Sequence, residues 1–203
     1  MAEVFLKTNC CDHEPGRATL ATISRWKLFY LLYLSRPKQN RAIYRIIHKG
    51  GVRKILELGI DAIGRTQRML ALAAAQAEGD PKLIRYTGID AFETRAAYDG
   101  PSITLKEAYR RLRPSGTKVQ LLPGDPFSAL SLAADSLGRF DLMVVSADVV
   151  GKQLSRAWFY VPRLLHTNTK VYVESLKSGE FRLLSAKQIA RLATASITQR
   201  RAA

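Results

Sequence analysis

One stretch constrains this chain more than any other: Val52-Arg-Lys-Ile-Leu-Glu-Leu-Gly-Ile-Asp-Ala-Ile-Gly-Arg-Thr66. Its short apolar run, Ile55, Leu56 and Leu58, ends on an acid and a glycine. A tight loop then leads into a helical pattern of Met69, Leu70, Leu72, Ala73 and Ala77. A second apolar run closes on Tyr86-Thr-Gly-Ile-Asp90 and again ends on an acid. Strand, loop, helix and strand in that order make a β-α-β unit, which requires a parallel sheet and a right-handed crossover. An acid ending the second strand stands where a bound ribose would lie in a nucleotide-binding sheet.

The alternation continues down the chain. A strand over residues 54–58 leads into a helix over about 64–78, and Gly79-Asp-Pro81 turns into a strand over 84–90. Thr104-Leu-Lys-Glu107 is a capping box that opens a helix with Leu105, Ala108, Tyr109 and Leu112 on one face, and Pro114-Ser-Gly116 stops it. Residues 118–122 form a third strand. Asp125-Pro126 caps a helix carrying Leu130, Ala133, Ala134 and Leu137. Residues 140–145 are nearly all apolar, as a strand buried on both faces should be. A helix over about 153–165, a strand over 170–173, a short strand over 181–184 and a helix opening at Ser185 complete the order. This predicts an α/β fold: a doubly wound, mostly parallel, Rossmann-like sheet.

Before that core, residues 1–18 read as a flexible tail with Pro15 and Gly16 and no periodicity. From Thr19 a helical pattern carries Leu20, Ile23, Trp26, Tyr30 and Tyr33, and the shared face with Ile23 predicts core or interface for these rings. After Pro37 a second helix carries Ile43, Ile46 and Ile47 on one face and Lys38, Arg41, Arg45 and Lys49 on another, and Gly50-Gly51 ends it. No linker separates these helices from Val52. Residues 19–203 therefore read as one domain, with helices over 19–50 covering an α/β core over 52–203.

The net charge of +15 is unevenly spread: every charged side chain from Arg17 through Lys54 is basic. Such asymmetry predicts a polyanionic partner, RNA or an acidic membrane surface, reached through Lys38, Arg41, Arg45 and Lys49. The plainer reading is a solvated basic face that binds nothing specific. No apolar run reaches the roughly 18 residues of a membrane span, and Met1 to Asn9 lacks a secretory pattern. Cys10 and Cys11 are adjacent and form no disulfide framework, so a cytoplasmic, reducing compartment is expected. With Asp12 and His13 they offer too few ligands at metal spacing.

In sheets of this kind the ligand lies beyond the carboxyl ends of the strands. The residues there are Glu57 and Gly59, Asp90, Gly124 and Asp125, Ser146 to Asp148, and Glu174-Ser175. Each of these five positions carries an acid, which repels a phosphate-rich ligand and suits one with a cationic centre, ribose hydroxyls and an adenine amino group. An acid after a strand also serves as a helix N-cap, as Asp125 before Pro126 can.

Glu57-Leu-Gly59, Gly-Ile-Asp90, Leu-Pro-Gly-Asp125 and Phe-Asp-Leu-Met-Val-Val-Ser146 resemble the successive motifs of class I S-adenosylmethionine-dependent methyltransferases, over about residues 43–175. The resemblance implies a methyltransferase-type sheet with a truncated C-terminal hairpin and S-adenosylmethionine as cofactor. It implies that the turn from Glu57 to Gly59, with Asp61 and Gly64 in the loop after it, holds the methionine part. Asp90 would hold the ribose, and Gly124 and Asp125 would lie by the adenine. Ser146 would face the methyl group and Asp148 the substrate. The family's loop has glycine at the second and fourth places after Gly59, where this chain has Asp61 and Ile63. Ile is costly at positive φ, so either the loop is rebuilt around Gly64 or cofactor binding is weakened or lost. The family's metal-dependent branch uses Asp after strand four and Asp-Asn after strand five. Ser146 and Glu174-Ser175 stand there, so no metal site is expected.

Two functions follow. One is methyl transfer from S-adenosylmethionine to an unidentified acceptor. The other is a catalytically inactive protein of the same fold that binds RNA or a protein partner through its basic N-terminal helices. A dinucleotide dehydrogenase ranks behind both, because G-x-G-x-x-G is absent. His48 and His166 have no Ser or Cys partner at motif spacing, and helix C-termini account for both.

Overall fold

The structure is a computed structural model and describes residues 23–60, 63–77, 79–94, 103–149 and 152–201. The tail over residues 1–18, Leu20, Cys10, Cys11 and Asp61 lie outside the described residues. The strands β1 (Lys54–Leu58), β2 (Arg85–Asp90), β3 (Lys118–Pro123), β4 (Phe140–Val145), β5 (Leu165–Glu174) and β6 (Phe181–Leu183) form one sheet in the order β3-β2-β1-β4-β5-β6. The first five are parallel and β6 runs antiparallel to β5. This is the doubly wound Rossmann-type order with its last strand reversed. One short hairpin, β5 and β6, forms that edge of the sheet.

The pleat sends alternate residues of each strand to opposite faces, and two cores result. Ile55, Tyr86, Leu142, Val144 and Tyr172 share one core with α1 (Arg25–Phe29), α2 (Arg41–His48), α3 (Ile63–Ala75) and α4 (Leu105–Leu112). Leu56, Leu58, Ile89, Met143, Val145 and Val171 share the other with α5 (Pro126–Leu137), α6 (Lys152–Ala157) and α7 (Ala186–Arg201). The helices at the chain's start cover the first face, as expected. Glu57 belongs to the Ile55 register and so points into the α3 side rather than along the strand.

Two expectations are corrected. The helix over about 153–165 ends at Ala157, a 3-10 turn spans Val161–Leu164, and β5 begins at Leu165 rather than Lys170. Pro162 has no N–H for an i−4 carbonyl, so the apolar periodicity crosses it but the helix does not. His166 accordingly lies on β5, with Nε2 2.9 Å from Asp141 Oδ1, and not at a helix C-terminus. Second, of the core and interface readings of Trp26, Tyr30 and Tyr33 the core one is excluded: they are 84%, 45% and 51% exposed, while Leu31 and Leu32 are buried. Among the described residues no helix is long and apolar enough to cross a membrane.

Candidate functional site

The chain leaves β1 toward β2 on one side and later adds β4 on the other, so the strand order reverses beside β1. The crevice a ligand would use therefore opens between the carboxyl ends of β1 and β4. Gly59 sits there with φ +82°. Its N–H donates to the Ile89 carbonyl at 2.8 Å, and its carbonyl accepts from Ser146 Oγ at 2.7 Å. The Ser146 N–H donates to the Leu58 carbonyl at 2.9 Å, so the tips of β1, β2 and β4 are joined at one turn. A Cβ on Gly59 would stand 2.5 Å from Asp148 Oδ1 and 2.9 Å from Val149 Cγ1. Both the backbone conformation and the space demand glycine at this position. Asp148 itself is exposed, in a short turn over Ala147–Val149.

Asp90 flanks the same turn from the other side. Its carboxylate accepts the N–H of Ile60 at 2.5 Å and that of Phe92 at 3.0 Å, and the residue is 1% exposed. Phe92 holds φ +48° with its ring fully buried in a cluster with Ile60 and Ala108. A left-handed conformation costs a non-glycine residue roughly 1–2 kcal/mol, and burial of the ring offsets it.

The start of α3 removes the backbone difficulty posed by Ile63. Ile63 is the first residue of α3 and Gly64 the second, so neither needs positive φ. At the tip of β3 the Gly124 N–H donates to the Asp90 carbonyl at 2.8 Å, and φ is +125° with open space around its Cβ position. Asp125 caps α5 by accepting from the N–H groups of Phe127 and Ser128 at 3.0 and 3.1 Å. Partial burial opposes its charged form, but hydrogen bonds from Ser128 and Phe127 outweigh this and lower its pKa from the usual value. Gly59, Asp90, Ser146 and Asp148 thus converge on one turn, and Gly124 joins them through the Asp90 backbone.

Glu57 is held apart from them, behind the turn. Its Oε1 accepts from Arg65 Nε at 3.1 Å and NH2 at 2.8 Å, and its Oε2 from Thr66 Oγ1 at 2.8 Å and Tyr86 OH at 2.7 Å. Arg65 also donates to Ser146 Oγ and reaches Glu174 Oε2 at 3.5 Å, with its guanidinium 5.2 Å from the Phe181 ring centroid. Glu57 and Arg65 are 0% and 3% exposed. A buried carboxylate of this kind is tolerable only when paired and hydrogen-bonded. Burial raises the Tyr86 pKa well above the usual value, and the neighbouring Glu57 charge adds to it. Arg65 therefore clamps the ends of β1, β4 and β5 to the first turn of α3. The sequence reading passed over Arg65, Thr66 and Tyr86. The available signal was a strand acid in the register of Ile55, facing a helix whose first turn carries Arg65-Thr66.

Among the described residues no group of three or more His, Cys, Asp or Glu side chains could hold a metal ion. No protein-family model matches the chain, and no curated protein matches it. Solved structures do resemble it. An O-methyltransferase of Bacillus cereus, solved with SAH, is 16% identical with a TM-score of 0.49, over 83% of this chain and 71% of that one. A methyltransferase of Geobacter sulfurreducens is 18% identical with a TM-score of 0.47, over 80% and 66%. A protein of Streptococcus mutans described as a candidate SAM-dependent methyltransferase is 12% identical with a TM-score of 0.47, over 78% of this chain. The chain spans 39% of the length of that last protein.

Proposed function

We propose that this chain binds S-adenosylmethionine in the crevice between β1 and β4 and directs its methyl group to an acceptor. The observation that carries the reading is the glycine turn at Gly59, flanked by the Asp90 and Asp148 carboxylates at the point where strand order reverses. The chemistry of this site fits the cofactor. Two carboxylates complement a ligand with a cationic centre, the Asp90 carboxylate at the tip of β2 would face the ribose, and the open space at Gly124 would take the adenine. The bound cofactor would supply an electrophilic methyl on a sulfonium. The chain's part is to position and desolvate the reacting pair, with Asp148 as the exposed carboxylate toward the acceptor. Glu57 and Arg65 act as positioning residues that keep the strand tips in register.

A second reading, the same fold without the cofactor, is favoured by one observation: Asp90 is 1% exposed and its oxygens already serve Ile60 and Phe92. Calorimetric titration with S-adenosylmethionine and S-adenosylhomocysteine decides between them. Binding is expected. Asp90→Ala is expected to weaken it about tenfold or more, since a hydrogen bond to a charged group contributes roughly 1.5–3 kcal/mol. An absence of heat at millimolar ligand would leave the second reading standing.

A further inference from the structure

The first helix is apolar on two faces, and the described residues cover only one of them. Leu31, Leu32 and Ser35 are buried, and Ile23 and Leu28 are half-buried against the core. Trp26, Phe29, Tyr30, Tyr33 and Leu34 face outward, at 84%, 49%, 45%, 51% and 55% exposure. Their steps of three, one, three and one residues make a continuous ridge along α1 and the π-helical turn over Tyr30–Leu34. Scattered single apolar residues on a surface need no explanation, but five large ones in a row mark an interaction site.

The charge around the ridge says what would cover it. Residues 15–56 contain ten basic side chains and no Asp or Glu. Arg25, Lys27, Arg36 and Lys38 are exposed beside or within the ridge segment. Arg41 and Arg45 spend one N–H each on the Ser35 and Leu32 carbonyls, at 2.9 and 3.2 Å, and keep their charge. A second copy of this chain would bring like charges together. The ring geometry separates the two polyanions left. Phe29 packs on Tyr33 at 5.1 Å, and the Arg45 guanidinium lies 5.4 Å from the centroid of Tyr33. Two of the four rings are thus engaged with each other and one carries a cation, while Leu34 has no π-face, which is poor for a row of stacked bases. A convex ridge of Trp, Phe, Tyr and Leu bordered by Lys and Arg suits the boundary between headgroups and acyl chains instead.

We propose that the ridge from Trp26 to Leu34 docks this protein on the surface of an anionic bilayer. The rings and Leu34 enter the interface while the surrounding Arg and Lys side chains meet lipid phosphate and carboxylate groups. This surface is independent of the crevice at Gly59, so the proposal does not depend on the cofactor reading.

The chain has two tryptophans, and the other, Trp158, is 4% exposed, so a change in emission on docking reports Trp26. The full chain is mixed with vesicles of phosphatidylcholine alone or of phosphatidylcholine with phosphatidylserine, and followed by fluorescence and co-sedimentation. A blue shift and pelleting with the anionic vesicles are expected, with a partition coefficient at least about tenfold above that for neutral ones and falling with salt. The Phe29→Ser/Leu34→Ser variant keeps Trp26 as reporter and the buried face intact. It should lose most of the binding without a change in circular dichroism. Absence of a shift with anionic vesicles overturns the proposal, as does equal binding to neutral ones or undiminished binding by the variant. A Trp26 response to single-stranded RNA without vesicle binding would make the ridge a nucleic-acid face. Protection of Trp26 from a soluble quencher in the free protein would show that the chain itself or a second copy covers it.

Discussion

At the scale of single residues, the centre of this protein is the Glu57 carboxylate, held inside an apolar core by Arg65, Thr66 and Tyr86. Removing one partner of a buried pair leaves a charge without compensation, which costs roughly 3–5 kcal/mol, whereas removing both costs much less. Arg65→Met is therefore expected to lower the unfolding free energy by about that amount, and Glu57→Gln combined with Arg65→Met to recover a large part of it. Denaturant titrations of the two single variants and the double variant measure the coupling. If the two effects simply add, the pair is not the unit that holds the strand tips. Tyr86 gives a separate pH signature. Its folded pKa is raised, so the stability it contributes is present below the unfolded value of 10.0 and is lost as pH rises above it, because the unfolded chain ionises first. Tyr86→Phe should flatten the alkaline fall in thermal midpoint, and a fall of unchanged steepness would assign it to other groups.

At the scale of elements, Asp125 shows how a residue after a strand can serve the helix that follows. Two N–H groups at the start of α5 end on its carboxylate, and Pro126 leaves no third to satisfy at the first position. Asp125→Ala is expected to lose about 0.5–2 kcal/mol. The folded pKa of Asp125 is lowered, so its contribution is complete above the ordinary 3.8 and lost as pH falls through the folded value. Asp125→Asn keeps a capping oxygen but should flatten the acid limb of a melting curve, which following the thermal midpoint with pH would test. The elements differ in how plainly the sequence announced them. β1 and β4 are bounded as their apolar runs are, since a strand buried on both faces has no other signal to confuse it. The break between α6 and β5 was hidden because Leu154, Ala157, Trp158, Val161 and Leu165 keep a helical step across Pro162. The first helix carries two apolar stripes, and periodicity finds both without saying which one the body covers. The convergence of Gly59, Asp90, Ser146 and Asp148 followed from strand order. The partner of Glu57 did not, because Arg65 reads as an ordinary solvent-facing helix residue until the strand's register is known.

At the scale of the whole molecule, the proposed ligand site and the sheet are one mechanical object. Gly59, Asp90 and Ser146 hydrogen-bond the ends of β1, β2 and β4 to one another, so a ligand that engages them should stabilise the folded chain against unfolding. A ligand that binds only the folded state adds RT ln(1 + [L]/Kd), about 2.7 kcal/mol at a hundredfold excess over Kd. For a domain of this size each kcal/mol raises the thermal midpoint by roughly 2–4 °C, so saturating S-adenosylhomocysteine should raise it by about 5–10 °C. The rise should survive a chelator in excess, since Ser146 and Glu174-Ser175 do not supply the oxygen set that a hard divalent cation needs. It should shrink in Asp90→Ala and persist in the Phe29→Ser/Leu34→Ser variant, whose changes lie on the opposite side of α1 from the core. A rise that the chelator abolishes and Mg²⁺ restores would place a metal in the crevice. Equal midpoints with and without ligand would mean that the Asp90 bonds to Ile60 and Phe92 are the finished state of this turn, and that the fold is kept for its surfaces.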